Sequence, residues 1–422
     1  MKNKALIIIL SLLTTFSFGL DFGGNLEDST IYYNSDSSEF YHADTLALWL
    51  TTELWTDTNL YVQGSYTYTS DDPYFFDIDY LKIENKGVSP LNYTIGRFST
   101  SDSSKYIFSH KMDGVSLVYN LPSAVISAKA GYTGLLFDTS SNIEMTLADQ
   151  TGTSYSGINQ TFAAPRIVGG LQAFLPELYL NQDLKADLWM QMDMRPDSDL
   201  TAGGKLDTQY FGITLGGPII PALYYDSFAY LGTGQSHSGI ADSYSVISFL
   251  GSAGLRYYRE DFLFSRISFR FLYSSGDSDS KSSFLEGNTS GNSNNFTPIS
   301  GKTLGLIFSP TLGNIFLTQL SYSLKPFSNS KNKTLGNIQF QLTDINFFRS
   351  TTGLISESGI NSASNALYLG TEVDGTVNYR PFSDLGVSLS TGVFIPNNGS
   401  DGAFNNTKKV EYLGRLGVSF SF

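Results

Sequence analysis

Along most of the chain, apolar and polar positions alternate with a period of two. From Val410 to Phe422 the parity of Tyr412, Gly414, Leu416, Val418, Phe420 and Phe422 is apolar, while that of Leu413, Arg415, Gly417, Ser419 and Ser421 is mostly polar. From Asp183 to Arg195, Leu184, Ala186, Leu188, Met190, Met192 and Met194 oppose Lys185, Asp187, Trp189, Gln191, Asp193 and Arg195. Neither set recurs at three and four residues, so these are strands with one apolar and one wet face, not amphipathic helices. In Leu46–Trp55 the leucines 46, 48, 50 and 54 oppose Glu53, and in Phe264–Ser275 Ile267, Phe269 and Phe271 oppose Arg266, Ser268 and Arg270.

Such runs recur from Leu20 onward, separated by turn clusters such as Asn120-Leu121-Pro122-Ser123, with no linker or shift of composition. The reading is one domain over residues 20–422: an all-β, transmembrane, up-and-down antiparallel barrel. About 19 candidate strands are found where single-chain barrels of this kind carry an even number, so about 18 are expected, with about 16 as the fallback. The surplus falls near Lys302 to Lys325. There Lys302–Pro310 and Ile315–Lys325 both read as strands, and Lys325-Pro326-Phe327 resembles the short turn Arg380-Pro381-Phe382. The polar stretches Ser99–Met112, Asp138–Ala163 and Gly276–Ser300 read as long loops of one end, and the first two are expected to fold in and narrow a pore.

Composition agrees with this pattern. Aromatic residues make up 14% and charged residues only 15% of 422 residues, with 40 glycines, which suits lipid-facing walls with aromatic girdles. Beyond the N-terminus no apolar run reaches the ~18 residues of a membrane-spanning helix. Met1 to Gly19 reads as a cleaved secretory signal: Lys2 and Lys4 are basic, Ala5–Leu13 is apolar, and Ser17-Phe18-Gly19 has the small-x-small form. Losing its two lysines takes the net charge from −13 to −15, a balance that argues against a nucleic-acid partner. Cysteine is absent, which removes disulfides, thiol nucleophiles and thiolate metal sites. His42, His110 and His237 stand isolated along the sequence, His110 having only Asp113 within reach. No catalytic constellation, metal site or cofactor is therefore expected, and the chain reads as a non-enzyme.

Some segments carry resemblances. The last strand resembles the C-terminal assembly signal of bacterial outer-membrane barrels, with Tyr412, Leu416, Val418, Phe420 and Phe422 as its apolar face. This implies outer-membrane lipid and the barrel assembly machinery as partners. Gly96-Arg97, a polar loop and Asp113-Gly114-Val115-Ser116-Leu117 are similar to a strand-loop-strand hairpin of substrate-diffusion porins. Leu369-Gly370-Thr371-Glu372-Val373-Asp374, Tyr379-Arg380-Pro381 and Val393-Phe394-Ile395-Pro396 are similar to the C-terminal region of the alginate-export barrels. The porin resemblance implies a water-filled pore with charges on its inner wall.

Independently of any resemblance, parity and the cost of placing a cation at the bilayer midplane, roughly 2 to 4 kcal/mol, turn charges inward. The expected pore-lining set is Arg97, Lys185, Asp187, Asp193, Arg195, Arg256, Arg270, Glu372, Asp374, Arg380 and Arg415. Arg195 and Arg380, beside Pro196 and Pro381, are also placed to snorkel to an interface. For any one of these charges, pairing across strands to hold the wall competes with solute selection. The expected function is passive diffusion of small hydrophilic solutes, with anions favoured in the sharper form of the reading. Export of an anionic polysaccharide and a surface adhesin are the alternatives.

Overall fold

The computed structural model describes residues 19–35, 37–70, 75–87, 90–143, 146, 162–195, 205–237, 243–279 and 291–422. Most of the expected export signal and parts of the loops 138–163 and 276–300 lie outside them. The strands are β1 (Leu20–Asn34), β2 (Ser38–Trp55), β3 (Thr58–Thr69), β4 (Phe75–Asn85), β5 (Leu91–Ser101) and β6 (Ser109–Leu121). They continue as β7 (Ala124–Tyr132), β8 (Arg166–Tyr179), β9 (Gln182–Asp193), β10 (Lys205–Ile220), β11 (Leu223–His237) and β12 (Ser243–Arg259). The last six are β13 (Ser265–Ser274), β14 (Ile315–Leu324), β15 (Gln339–Arg349), β16 (Tyr368–Tyr379), β17 (Leu385–Pro396) and β18 (Glu411–Ser421).

These make the 18-stranded sheet that the alternation predicts. Each strand pairs antiparallel with the next, and β18 returns to β1 through the register Asn25 to Asn34 against Ser421 to Tyr412. Closure satisfies backbone groups without water, which is what a membrane-crossing sheet requires. The β6–β7 turn is Pro122-Ser123 and the β10–β11 turn Pro221-Ala222, whereas the connections at the opposite end reach from 275 to 314. The alternation sorts as expected: on β9 Met190 is 45% exposed on the outer face, and its neighbour Trp189 is fully buried on the inner face.

One expectation is corrected. Lys302–Pro310 is not a strand but part of a loop between β13 and β14 that runs into the barrel, which removes the surplus strand. Its apolar residues fall on both parities and are consumed by packing: Phe308 stacks on Phe394 of β17 at 4.4 Å and meets Phe347 of β15 at 5.0 Å. β7 ends at Tyr132, and Leu136 N–H then donates to Thr133 O at 3.0 Å to close a turn.

Part of the barrel interior is therefore packed with side chains. Phe98, Tyr106, Ile107, Phe108 and Met112 from the β5–β6 hairpin, and Phe296, Ile299, Phe308 and Leu312 from the β13–β14 loop, form one core with inward residues of β8–β17 such as Trp189, Tyr210, Tyr230, Leu250, Leu272 and Phe347.

Candidate functional site: the lumen and its inserted loops

The β5–β6 hairpin is the element that divides the lumen. β4 pairs with β5 only as far as Arg97, and β7 pairs with β6 only as far as Asp113, yet β5 and β6 stay paired to Ser101 and Ser109. Beyond the Gly96–Gly114 pair both strands thus leave the wall as a two-stranded arm. Gly96 has φ +114°, and a Cβ there would lie 2.1 Å from the carbonyl oxygen of Leu81; at Gly114 it would lie 2.1 Å from that of Ala130. Only glycine lets the departing strands pass so close to the wall.

Arg97 and Asp113 clamp the base of the arm. The guanidinium donates from Nε and Nη2 to the two carboxylate oxygens of Asp113, both at 2.9 Å, and also to the carbonyls of Ile78 and Leu135. At the arm's tip Asp102 accepts the N–H groups of Ile107 and Phe108 at 2.9 Å each. The tip is docked on the far wall by Asp187 of β9, which accepts Ser103 N–H at 3.2 Å and the Ser103 hydroxyl at 3.0 Å. Tyr230 of β11 places its hydroxyl 2.5 Å from Asp187 and 3.1 Å from Asp102. The second insertion is held the same way: Glu372 of β16, fully buried, accepts the N–H groups of Leu306, Ile307 and Phe308 at 2.5, 3.0 and 2.7 Å. Ile299 N–H donates to Ile107 O at 2.8 Å, so the two insertions are also bonded to each other.

Open space remains on either side. A cavity of about 800 Å³ lies between the arm and the inner face of β1–β4, among small and polar residues such as Ala43, Thr45, Ala47, Gln63, Ser65 and Thr67. A second, about 780 Å³, lies at the short-turn end against β1 and β15–β18, where Lys325, Arg380 and Arg415 face Glu27. A third, about 380 Å³, lies behind the arm against β9–β13. Lys105, Lys185, Arg270 and Lys302 line it with the carboxylates of Asp183 and Asp226, and Tyr106 and Phe228 supply aromatic surface. The Lys302 ammonium stands 4.8 Å over the Tyr106 ring. Burial, with Arg270 and Lys105 nearby, holds that ammonium below the usual lysine range.

The eleven charges expected on the pore wall therefore fall into two groups. Arg97, Asp187 and Glu372 hold inserted backbone. Asp193 and Arg195 are buried in an ion cluster with Arg166, at 2.8 Å from Arg166 and 2.5 Å from Arg195, so Arg195 does not snorkel. Asp374 neighbours Glu372 beneath the same loop and touches Gly392 of β17. By contrast Lys185, Arg270, Arg380 and Arg415 border cavities, and Arg256 pairs with Asp226 at 3.2 Å beside the third. Lys105, Lys302 and Lys325 also border cavities and were not singled out from the sequence; Lys302 and Lys325 stand at the ends of runs read as strands, and in the structure all three lie outside the strands. Arg349 of β15, nearly buried, was missed too: it donates to the carbonyls of Thr352, Gly353, Ser364 and Ala366 and ties down the β15–β16 connection.

The histidines also differ from expectation. His110 contacts the carbonyls of Lys111 and Ser140 and not Asp113. His42 is not isolated in space: Asp28 and Asp44 approach it from adjacent positions on β1 and β2.

No family model and no curated protein sequence matches the chain. Solved structures do. The outer membrane protein OpdK of Pseudomonas aeruginosa superposes with a TM-score of 0.60 at 13% identity, over 95% of this chain and 99% of that one. OccK2 (OpdF) of the same organism, solved in complex with glucuronate, gives 0.61 at 12% identity over 95% and 98%. OccK8 (OprE) gives 0.61 at 12% identity over 96% and 98%. Along nearly its whole length, this chain has the fold of the OccK outer-membrane porins, an 18-stranded closed barrel.

Proposed function

We propose that the protein is a bacterial outer-membrane porin through which small hydrophilic solutes, anions in preference to cations, diffuse passively. The observation that carries this reading is the divided lumen: two inserted segments narrow a closed barrel, and two of the three spaces left are bordered by more cationic than anionic side chains, while the remaining one sets Lys111 against Glu27 and Asp79. Lys105, Lys185, Arg270 and Lys302 outnumber Asp183 and Asp226 in one cavity, and Lys325, Arg380 and Arg415 face Glu27 in another. In a confined, partly desolvated passage such an imbalance favours anions even though the whole chain is acidic. The basic and apolar segment Met1–Gly19 supports export, and the apolar face of the last strand supports recognition by the assembly machinery. That OccK2 was solved with glucuronate and OpdK with vanillate is compatible with an acidic solute.

In this reading Lys185, Arg256, Arg270, Arg380 and Arg415 border the pathway, whereas Arg97, Asp187, Asp193, Arg195, Glu372 and Asp374 shape it by fixing the insertions and the wall. Polysaccharide export would need an unbroken basic tract, and here the cations are split between cavities and interrupted by Glu27, Asp79 and Asp226. Liposome swelling with sugars of graded size tests the passive pore, and absence of uptake at every size rejects it. Reversal potentials in planar bilayers under a salt gradient test the sign; cation preference rejects the anion reading and leaves the pore standing.

A further inference from the structure

The outward face of β1 and β2 carries a group of ionisable side chains where an apolar row gives way to polar residues toward the β1–β2 turn. On β1 the outward parity runs Phe22, Leu26, Asp28, Thr30, Tyr32; on β2 it runs Leu48, Leu46, Asp44, His42, Phe40. Asp28 lies across from Asp44 on one side and from Val418 on the other, and Val418 is in the middle of the β18 row from Tyr412 to Phe422. These groups therefore face outward on the barrel wall, on the side where lipid is expected.

Their geometry is convergent. His42 Nε2 is 3.1 Å from Asp44 Oδ2 and 3.7 Å from Asp28 Oδ2. One donor atom from each of the three residues lies within 4.8 Å of the others. On its far side His42 Nδ1 is 3.0 Å from the Thr30 hydroxyl, which fixes the ring so that Nε2 points into the group. Charge is the unsolved part. Two carboxylates stand against a single imidazole, and among the described residues no Lys or Arg forms an ion pair with either carboxylate. Uncompensated charge in an apolar band is costly, and ionisable groups kept there have a partner.

We propose that Asp28, His42 and Asp44 bind one divalent cation on the outer surface of the barrel, bridging β1 and β2. An imidazole nitrogen with two carboxylate oxygens suits a borderline ion, Zn2+ foremost. The side chains remain 33 to 50% exposed, leaving an open position for water or a lipid phosphate. Polar groups on the same parity, Asn34 and Ser38, lead from the β1–β2 turn toward the site. Because His42 must be neutral to coordinate, protons compete with the metal.

The test is titration of the untagged, full-length barrel in detergent, stripped with a chelator, first with Co2+ and then with Zn2+. One equivalent of Co2+ is expected, with the visible absorption of a four-coordinate site that Zn2+ bleaches. His42→Gln and Asp44→Asn are each expected to weaken binding by about tenfold or more, and His237→Gln to leave it unchanged. Folding is verified for each variant by the shift in electrophoretic migration on heating. Absence of stoichiometric uptake overturns the proposal. Equal uptake by folded His42→Gln overturns it as well.

Discussion

The inner faces of the two halves of this barrel are built from different material. On β1–β4 the inward positions mix small or polar residues, such as Ala43, Thr45 and Ala47 or Gln63, Ser65 and Thr67, with aromatic ones such as Tyr41, Phe75 and Tyr80, and they border open space. On β8–β17 they include Trp189, Tyr210, Tyr230, Leu250, Leu272 and Phe347, and they border packed loops. The same residue type does different work in the two settings. A carboxylate beneath packed loops, such as Glu372, holds backbone N–H groups out of contact with water, whereas Arg415 borders open space. Inward parity says which residues leave the lipid; only the neighbours across the lumen say whether they reach water.

Removing charges one at a time turns this contrast into measurements. The largest effect is expected from Arg97→Ala at the base of the arm. It leaves Asp113 and two carbonyls without their donor, at about 3 kcal/mol or more in sum for a half-buried charged pair and two backbone acceptors. Denaturant or thermal unfolding should show it, together with unstable conductance as the arm loosens. Glu372→Ala should follow, at about 3 kcal/mol, because three buried N–H groups lose their acceptor. Its signature in bilayers is a larger conductance with frequent transitions, since the β13–β14 loop is released into the lumen.

Arg415→Ala, on the open side, should leave assembly and stability within about 0.5 kcal/mol of the parent and move the reversal potential toward cations. Phe422→Asp, on the outward face of the same segment, should lower the folded fraction in the membrane and leave the selectivity of the folded fraction alone. Equal loss of assembly by both would show that the two faces of the last strand are not functionally separate.

The smallest effect concerns pH. With its pKa lowered in the folded protein, Lys302 binds its proton less tightly there than in the unfolded chain. Its contribution to stability is therefore fully present above the ordinary lysine pKa and is lost as pH falls through the lowered one. Over the same window the third cavity loses a positive charge as pH rises. Anion preference should thus decline below the pH at which ordinary lysines titrate, and Lys302→Met should abolish that step in a reversal-potential series.

The alternation made the barrel, its strand number and the faces of strands such as Asp183–Arg195 legible, because a lipid-facing row leaves a local, periodic mark. It also located the surplus strand near Lys302–Lys325. It did not show that Lys302–Pro310 enters the lumen, since an apolar run docked on Phe347 and Phe394 reads like a buried strand. One sign was available: Val246, Ile247, Phe249 and Leu250 on β12 are apolar on both parities, as expected where the inner face is packed as well as the outer. Site chemistry was less legible. That Asp187 accepts from Ser103 and Tyr230, or that Asp28 meets His42, depends on strand register and on residues far apart in the chain, for which parity holds no information.

A closed barrel is the one sheet that needs no edge protection, yet the departure of the β5–β6 arm creates an edge within this one. From Phe75 to Tyr80, β4 has β3 on one side and no strand on the other. Sheets in water guard such edges with charged side chains that make the strand a poor template for pairing. Here Arg97 donates to the carbonyl of Ile78 on that edge, so the residue that clamps the arm also occupies a backbone acceptor the arm left behind. Folding the arm inward and sealing the seam it opens are in this protein one event, carried by one guanidinium.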